Sequence, residues 1–405
     1  MNDSDLRARI ACGACAAAAF LSLIPPEVIA QELTGQTWEF ETSTQPIRVT
    51  ALATGLASAW GFEFLPNGDI LLTERPGSVK RFRDGVLEDL SGVPEVRNRL
   101  HGGLLDVALH PEFVENSLVY LAYSKTVFNG EQEGSSTAIF RARLEGNALV
   151  GGEDIFIADN WNRLDVNFGS RIIFDDNGFM FVSFGDRGPN GEPFAQDLSD
   201  HNGTILRLND DGSVPDDNPF ANAPNAAPEI WSYGHRNPQG MTLHPETREL
   251  WASEHGPLGG DEVNIIGPGK NYGWPLITFG RDYDGSVISE HTSMDGMEQP
   301  RFFWVPSIGI SGLLFYTGEA FPDWKGELFV TGMSGMMIQR VRMQGRGTAE
   351  RESLLMPLRH QVRDIQQGLD GFLYALTRAD AERNENTGML LRIEPADPAA
   401  ADRDE

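Results

Sequence analysis

The stretch Asn177-Gly178-Phe179-Met180-Phe181-Val182-Ser183 consists of a glycine turn, four apolar residues and a hydroxyl residue. A short apolar run that starts at a glycine turn is typical of a buried β-strand. We refer to this order of a turn, three or four apolar residues and then Ser, Thr or an acidic residue as the turn-strand motif. It recurs in three close copies, Asn67 to Glu74, Gly326 to Thr331 and Asp370 to Thr377, and in two looser ones, Glu115 to Ala122 and Thr247 to Ser253.

Six copies of one motif indicate a repeated architecture. Spread over residues 40–395, they imply units of about 60 residues, enough for four strands and long loops. No window shows sustained helical periodicity with caps at both ends. The sequence therefore predicts an all-β fold, a six-bladed β-propeller. Two unrelated β-sandwiches are the alternative, but they do not account for the same motif occurring six times.

The composition is that of a folded protein with a strongly acidic surface. Of 405 residues, 40% are hydrophobic and 22% charged, and 32 Lys and Arg against 59 Asp and Glu give a net charge of −27. Such a charge repels phosphate backbones and anionic membrane surfaces. We therefore expect no nucleic-acid partner.

The first thirty residues are typical of an export signal. Arg7 and Arg9 precede an apolar run from residue 10 to 24, and small residues lead up to Ala30. We predict cleavage after Ala30, and a periplasmic or secreted protein. The alternative, a buried N-terminal helix or membrane anchor, is less favoured because the run is shorter than the ~20 residues that a spanning helix needs.

The remaining chain is predicted to be a single propeller domain, residues 31–400, followed by a disordered tail, residues 401–405. Both cysteines, Cys12 and Cys15, lie in the export segment, so the mature chain is expected to have no disulfide. No later apolar segment is long enough to cross a bilayer. We therefore expect no membrane span in the mature protein.

Four stretches rich in Gly, His, Arg and Asn interrupt the strand pattern, as residues of a propeller's binding loops do. They span residues 99–106, 167–171 with 184–188, 233–240, and 253–262 continuing to 271–275. Their most specific motifs are Gly-His-Arg-Asn-Pro-Gln-Gly at 234–240, Gly-Gly-Asp-Glu at 259–262 and Asn-Tyr-Gly-Trp-Pro at 271–275. Together they make the chain resemble the soluble PQQ-dependent glucose dehydrogenase and aldose sugar dehydrogenase family, over almost all of its mature length. The resemblance implies a six-bladed propeller that oxidises the C1 hydroxyl of an aldose to a lactone. A hydride passes to pyrroloquinoline quinone (PQQ), and the electrons leave to an electron acceptor.

The resemblance also implies the residues that hold the cofactors. A quinone with three carboxylates needs cationic or amide donors, and a hard divalent ion to polarise its carbonyl. The positions that match PQQ contacts are His101, Arg236, Asn237 and Arg363. The backbone carbonyls of Gly256 and Pro257 match a calcium site beside the quinone, and Glu262 and Tyr272 match a second, structural calcium site.

The catalytic base is where this sequence departs from the family pattern. The family has a His in a His-Phe-Gly-Ser-Arg motif, and here that position is Asn167, whose carboxamide cannot take a proton. Asp186, which matches the aspartate that orients the base, is present. The family usually has Gln before Gly-Gly-Leu-Leu-Asp, and here that position is His101. We hypothesise that the two residues are exchanged, with His101 as base and Asn167 as the amide contact. The alternative is that His101 is only a polar pocket residue and that catalysis is lost.

Two further departures remove positive charge. Ser334 stands where the family often has Lys, and Gln361 stands for the first Arg of an Arg-x-Arg-Asp pattern, leaving Arg363 and Asp364. Each charge-assisted hydrogen bond contributes about 1.5–3 kcal/mol, so weaker PQQ affinity is expected.

Three functions therefore remain open. The first is the PQQ- and calcium-dependent aldose dehydrogenase. The second is a hydrolytic propeller such as a calcium-dependent sugar lactonase, for which metal without PQQ would be the sign. The third is a non-catalytic propeller that binds a sugar or a protein partner, favoured by Asn167, Ser334 and Gln361.

Overall fold

Each of the six turn-strand motifs forms the second strand of its own sheet. The structure, a computed structural model, describes residues 33–189, 192–344 and 347–396. Its two N-terminal strands are β1 (Thr37–Phe40) and β2 (Ile47–Leu56), which belong to the last sheet. The predicted export segment and tail, with their boundaries at residues 30 and 400, lie outside the described residues.

The first three sheets follow one another along the chain. Sheet 1 consists of β3 (Ala59–Phe64), β4 (Ile70–Glu74), β5 (Ser78–Arg83) and β6 (Val86–Asp89). Sheet 2 consists of β7 (Leu104–Leu109), β8 (Leu118–Asn129), β9 (Gln132–Glu145) and β10 (Ala148–Ile157), with the short helix α1 (Phe113–Asn116) between β7 and β8. Sheet 3 consists of β11 (Ile172–Phe174), β12 (Met180–Phe184), β13 (Thr204–Leu208) and β14 (Ile230–Tyr233), with a 3₁₀ helix (Glu192–Gln196) between β12 and β13.

The last three sheets repeat this order. Sheet 4 consists of β15 (Pro238–Leu243), β16 (Leu250–Glu254), β17 (Asp261–Ile266) and β19 (Phe302–Trp304), while β18 (Lys270–Asn271) pairs in parallel with β14. Sheet 5 consists of β20 (Ile310–Phe315), β21 (Leu328–Gly332), β22 (Met337–Gln344) and β23 (Gly347–Leu354). Sheet 6 consists of β24 (His360–Gln367), β25 (Leu373–Asp380), β26 (Gly388–Pro395), β2 and β1. Two 3₁₀ helices, Pro322–Trp324 and Met356–Leu358, lie in connections of sheets 5 and 6.

The six sheets close into a ring. The first strands of neighbouring sheets contact one another in turn, and β24 of sheet 6 contacts β3 of sheet 1. Closure also uses the N-terminus, because β2 pairs with β26 from Ile47 opposite Pro395 to Leu56 opposite Gly388. The predicted all-β, six-bladed β-propeller is confirmed, and the alternative of two sandwiches is wrong.

The apolar runs of the motifs are continuous because both faces of these strands are covered. Strands β4, β12, β16 and β21 are buried along their entire length. Each sheet packs against a neighbour on either side, so a second strand has no solvent face and needs no alternation of polar residues. This is why the motif reads as a run of apolar residues.

The turn before the second strand of every sheet has the same left-handed backbone conformation, both in the close and in the looser copies of the turn-strand motif. The glycines of the close copies have positive φ angles between 78° and 89°: Gly68, Gly178, Gly326 and Gly371. The looser copies keep the left-handed conformation without glycine, with φ of 56° at Ser117 and 58° at Arg248. The conformation is therefore the constant feature, and glycine is the residue that adopts it at least cost.

Among the described residues, no helix is both long and apolar enough to span a bilayer.

We predict that ring closure depends on the inward face of β2. Ile47 is fully buried in the cluster between sheets 5 and 6, so Ile47→Ala should lower the free energy of unfolding by about 2–5 kcal/mol in denaturant titrations. The control is Arg48→Ala on the next position, whose partly exposed ion pairs should contribute less than about 1 kcal/mol. Equal effects of the two variants would contradict this role of β2.

Candidate active site

The largest concentration of the predicted site residues lies around a cavity of about 240 Å³, which we call the central cavity. Four of its lining residues occupy related positions in four different sheets. Arg75, His255 and Met333 directly follow the ends of β4, β16 and β21, and Arg378 lies in β25 directly after its motif. Residues that follow the motifs therefore form one part of the cavity lining.

The structure brings five of the predicted residues together here. They line the central cavity: His101, Asn167, Arg236, Asn237 and Arg363. Asp186 is fully buried and contacts Asn167 from outside the lining. Gly256, Glu262 and Tyr272 line a separate, smaller cavity of about 20 Å³, which also borders Arg236. Pro257 is in neither lining, and its carbonyl oxygen accepts a hydrogen bond from the Ser307 hydroxyl at 3.4 Å.

The lining of the central cavity is strongly positive. It contains four arginines, Arg75, Arg236, Arg363 and Arg378, and no aspartate or glutamate. Of these four arginines, only Arg378 has a carboxylate partner within 4 Å among the described residues, namely Glu385. A buried guanidinium without an anionic partner is costly, because burial removes its hydration. The lining therefore has the charge of a site for an anion.

Several guanidinium nitrogens also lack hydrogen-bond acceptors. Buried and unpartnered are Nε of Arg236, Nε of Arg378, and both Nε and Nη2 of Arg363. The remaining nitrogen of Arg363, Nη1, donates to the Ser311 hydroxyl at 2.7 Å, and the guanidinium stacks 3.8 Å from the Trp60 ring. Burial, reinforced by the charge of Arg171, places the pKa of Arg363 well below its usual range. These four nitrogens are donors without acceptors, and they belong to arginines that line the cavity.

Asn167 is held in one orientation by Asp186. Its Nδ2 donates to Asp186 Oδ1 at 2.8 Å, while Trp274 Nε1 donates to the other carboxylate oxygen at 2.8 Å. The amide of Gly188 also donates to Oδ1 at 2.8 Å, and burial is the main cause that raises the pKa of Asp186. Asn167 Oδ1 makes no hydrogen bond within the described residues. The carboxamide therefore presents an acceptor oxygen at the cavity.

His101 lies next to Asn167. Its Nδ1 accepts a hydrogen bond from the Asn167 backbone N–H at 3.4 Å, which places the proton of the neutral ring on Nε2. Burial, and then the positive charge of Arg75, lower the pKa of His101 to about 4. Arg75 also fixes the loop, donating to the carbonyl oxygens of Leu100 and Gly102 on either side of His101. His101 is therefore a neutral imidazole at pH 7.

A second imidazole, that of His255, lines the same cavity. Burial, with the charges of Arg363 and Arg236, lowers its pKa well below the usual range. Its backbone carbonyl accepts a hydrogen bond from Arg236 Nη1 at 3.1 Å. Arg236 Nη2 lies 3.5 Å from the hydroxyl of Tyr283, another lining residue.

The residues expected at the calcium sites offer oxygen ligands in two places. The Gly256 carbonyl accepts from Arg236 Nη1 at 3.1 Å. In the smaller cavity, the carboxylates of Glu254 and Glu262 share one donor, Asn264 Nδ2, at 2.9 and 3.2 Å. Burial and the charge of Glu254 raise the pKa of Glu262 well above its usual range. Within the described chain, no group of three or more His, Cys, Asp or Glu side chains is placed to hold a metal.

Tyr272 is tied into the fold through its hydroxyl. That group donates to the Ile265 carbonyl at 2.6 Å and accepts from the Gly267 amide at 2.9 Å. The ring stacks on His235 at 4.5 Å. As a metal ligand, Tyr272 therefore has only its backbone oxygen to contribute.

Sequence reasoning did not identify Arg75 and Arg378 as site residues, and it gave no role to His255, which lies in the stretch 253–262. The signal was present, since each follows a turn-strand motif by one or two positions. In a propeller whose second strands all run in the same direction, the residues at these ends converge at one end of the ring. These three residues can therefore be found in the sequence from their positions relative to the turn-strand motifs.

The chain is similar in sequence and fold to known sugar dehydrogenases. The family model for glucose/sorbosone dehydrogenases matches residues 56–392. The chain belongs to the glucose/sorbosone dehydrogenase family. It is 38% identical to the aldose sugar dehydrogenase of Escherichia coli (strain K12) over 356 residues, which cover 86% of this chain and 93% of that protein.

Solved structures of family members share the fold. The crystal structure of the soluble aldose sugar dehydrogenase from Escherichia coli in its apo form superposes with a TM-score of 0.81 at 37% identity, covering 86% of this chain and all of that one, 100%. The PQQ-bound aldose sugar dehydrogenase from Streptomyces coelicolor has a TM-score of 0.66 at 26% identity, covering 86% of this chain and 98% of that one. The relatives' names support an oxidoreductase that acts on sugars.

We predict that the His101 ring stays neutral in the unliganded protein down to about pH 4. Because the folded-state pKa lies below that of an unfolded histidine, this group contributes stability that is lost as pH falls from about 6.5 toward 4. NMR titration of ¹³C-labelled histidines measures it, and the His101→Asn variant assigns the signal. A midpoint of His101 near 6.5 would contradict the burial and charge described here.

Proposed function

We propose that this protein is an exported, PQQ- and calcium-dependent aldose dehydrogenase that oxidises the C1 hydroxyl of an aldose to a lactone. The observation that carries the proposal is the central cavity, which four arginines line without any carboxylate. In a chain of net charge −27, such a lining is strong evidence for an anionic ligand. The names of the family members indicate that the ligand is the quinone cofactor.

The donor set suits a tricarboxylate. Arg236 and Arg363 have buried nitrogens without acceptors, and charge-assisted hydrogen bonds to carboxylates are the strong ones. Asn237 accepts from the Gly169 amide at 3.0 Å and from Gln239, so its Nδ2 is left for a ligand. When bound, PQQ supplies the carbonyl that accepts the C1 hydride. The protein's part is to hold it, to orient the sugar and to take the hydroxyl proton.

Calcium binding is proposed to depend on the cofactor. The carbonyls of Gly256 and Pro257 are two neutral oxygens, whereas calcium takes six to eight oxygen ligands. The Gly256 oxygen is also hydrogen-bonded to the Arg236 guanidinium, which would have to release it. A carboxylate in the central cavity offers Arg236 another acceptor. We therefore expect calcium and PQQ to bind cooperatively. We expect Glu262 and the backbone oxygen of Tyr272 to hold the structural calcium, together with the neighbouring Glu254.

His101 is proposed to take the proton of the C1 hydroxyl. It is neutral at pH 7 and lies beside Asn167, whose Oδ1 can accept a hydrogen bond from the sugar. Accepting at Nε2 requires the ring to carry its own proton on Nδ1, and the contact from the Asn167 amide is long enough, at 3.4 Å, to be given up. Burial is the main cause of the low pKa of His101, and the arginine charges come second. Three carboxylates would offset those charges and so make His101 a stronger base.

The substrate is proposed to be a neutral aldose, as the names of the relatives suggest, and the electrons must leave to an acceptor. Export to the periplasm or the medium is proposed from the sequence of residues 1–30.

The first experiment is dye-coupled oxidation of a panel of aldoses by the purified mature protein, with PQQ and calcium added together and each omitted in turn. Turnover that requires both supports the proposal. Hydrolysis of a sugar lactone with metal alone would instead indicate the hydrolytic function. Absence of turnover, with no rise in melting temperature on adding PQQ, would indicate a non-catalytic propeller.

We predict that His101→Asn abolishes turnover while PQQ affinity falls by less than about tenfold, because the variant keeps a polar side chain but loses the base. His255→Asn is the matched control for the second imidazole of the cavity. If His255→Asn alone abolishes turnover, the assignment of the base to His101 is wrong.

We further predict that Asn167→His restores turnover in the His101→Asn background. An imidazole at 167 can donate through Nδ1 to Asp186 Oδ1, as the carboxamide now does at 2.8 Å, and then presents Nε2 to the cavity. The measurement is kcat as a function of pH for the single and double variants. A double variant as inactive as His101→Asn would show that the site lacks more than a base.

A further inference from the structure

The neutral residue Gln361 lies beside an arginine of the neighbouring strand. Gln361 is on β24, two positions before Arg363. In the pairing of β24 with β25, Val362 lies opposite Thr377 and His360 opposite Asp380. Gln361 therefore lies next to the segment that carries Arg378. Of these two side chains, that of Arg378 lines the central cavity.

Arg378 is only partly neutralised. Its Nη2 donates to Glu385, while its Nε is buried without an acceptor. Glu385 is at the more exposed end of this ion pair, with 47% of its side chain accessible against 21% for Arg378. Glu385 also accepts from the Ser58 hydroxyl. The Glu385 carboxylate thus accepts from one nitrogen of the Arg378 guanidinium and leaves another, Nε, without an acceptor.

Arg75 lies beside Arg378 and adds a second positive charge. Its side chain is buried, and its Nε donates to the Gly102 carbonyl at 3.2 Å. No described carboxylate lies within ion-pair distance of it. Burial and the nearby charge of Arg378 lower the pKa of Arg75 to about 10, so it is still protonated at pH 7. Two guanidiniums and one rim carboxylate leave a net positive charge at this wall.

We propose that Arg378, with Arg75 beside it, forms a carboxylate-binding pair that holds the cofactor in place of the arginine absent at position 361. The proposal rests on the proposed function and concerns how this chain binds PQQ. The positive charge is supplied from β25 and from the turn after β4 instead of from β24. It accounts for two neighbouring arginines, one buried and one partly buried, whose only carboxylate partner among the described residues is Glu385 on Arg378.

The test is a titration of apo-protein with PQQ in the presence of calcium and without sugar, followed by calorimetry. Arg378→Gln is expected to weaken PQQ binding about 10- to 100-fold, the loss of one charge-assisted hydrogen bond. Arg383→Gln removes the same charge from an exposed residue in the connection that follows β25 and should leave the dissociation constant unchanged. The melting temperature of each apo-protein shows whether the variant is folded.

Rescue distinguishes a ligand contact from a structural role. Adding Gln361→Arg to Arg378→Gln returns the charge to β24, and we expect it to recover at least tenfold in PQQ affinity. Loss of binding that Gln361→Arg does not recover, together with a lower melting temperature of the apo-protein, would overturn the proposal in favour of a structural role. Unchanged binding by Arg378→Gln would overturn it directly.

The pair could instead bind a carboxylate of the substrate, and the kinetics separate the two sources. If Arg378→Gln binds PQQ as the wild type does but loses kcat/KM for a hexuronic acid relative to the neutral hexose, the cofactor assignment is wrong. If the wild-type protein itself does not bind PQQ, the proposed function fails, and that result is distinct from either outcome of the variants.

Discussion

The hydrogen bonds between β2 and β26 are the constraint on which the rest of the molecule depends. They join a strand near the start of the described chain to its last strand, and so fix sheet 6 against sheet 1. Only a closed ring brings the ends of six second strands to one place. The central cavity draws its lining from several of these sheets, so its geometry is a property of the ring and not of any single repeat.

Two arginines contact the ring of Trp60, and only one of them is paired with carboxylates. The ring of Trp60 stacks with Arg363, whose guanidinium faces the central cavity without a carboxylate, and with Arg171 at 4.7 Å. Arg171, by contrast, is paired with Asp106 at 2.8 Å and with Asp364 at 3.1 Å. The charge of Arg171 is therefore compensated by two carboxylates of the fold. The other, Arg363, lines the central cavity and has no carboxylate partner among the described residues.

Most of the fold could be predicted from sequence because the turn-strand motif combines two independent physical signals. A left-handed turn sets where each second strand begins, and burial on both faces makes the strand continuously apolar. The site was predicted less completely. Arg236, Asn237 and His101 were identified by the resemblance to the family. Arg75 and Arg378 were missed because they directly follow turn-strand motifs and belong to no motif that suggests a site. Their importance appears only when the ring brings those ends together. The roles of His101 and of the calcium residues stay predictions.

The hydrogen bond from Asn167 to Asp186 has an evolutionary consequence. Asparagine and histidine codons differ in a single base, as do glutamine and histidine codons, so each half of the proposed exchange is one nucleotide away from the usual pattern of the family. A carboxamide Nδ2 and an imidazole Nδ1 present the same donor to Asp186, so a change at 167 leaves that contact intact. A route through a gene encoding histidine at both positions keeps an imidazole in the cavity at every step.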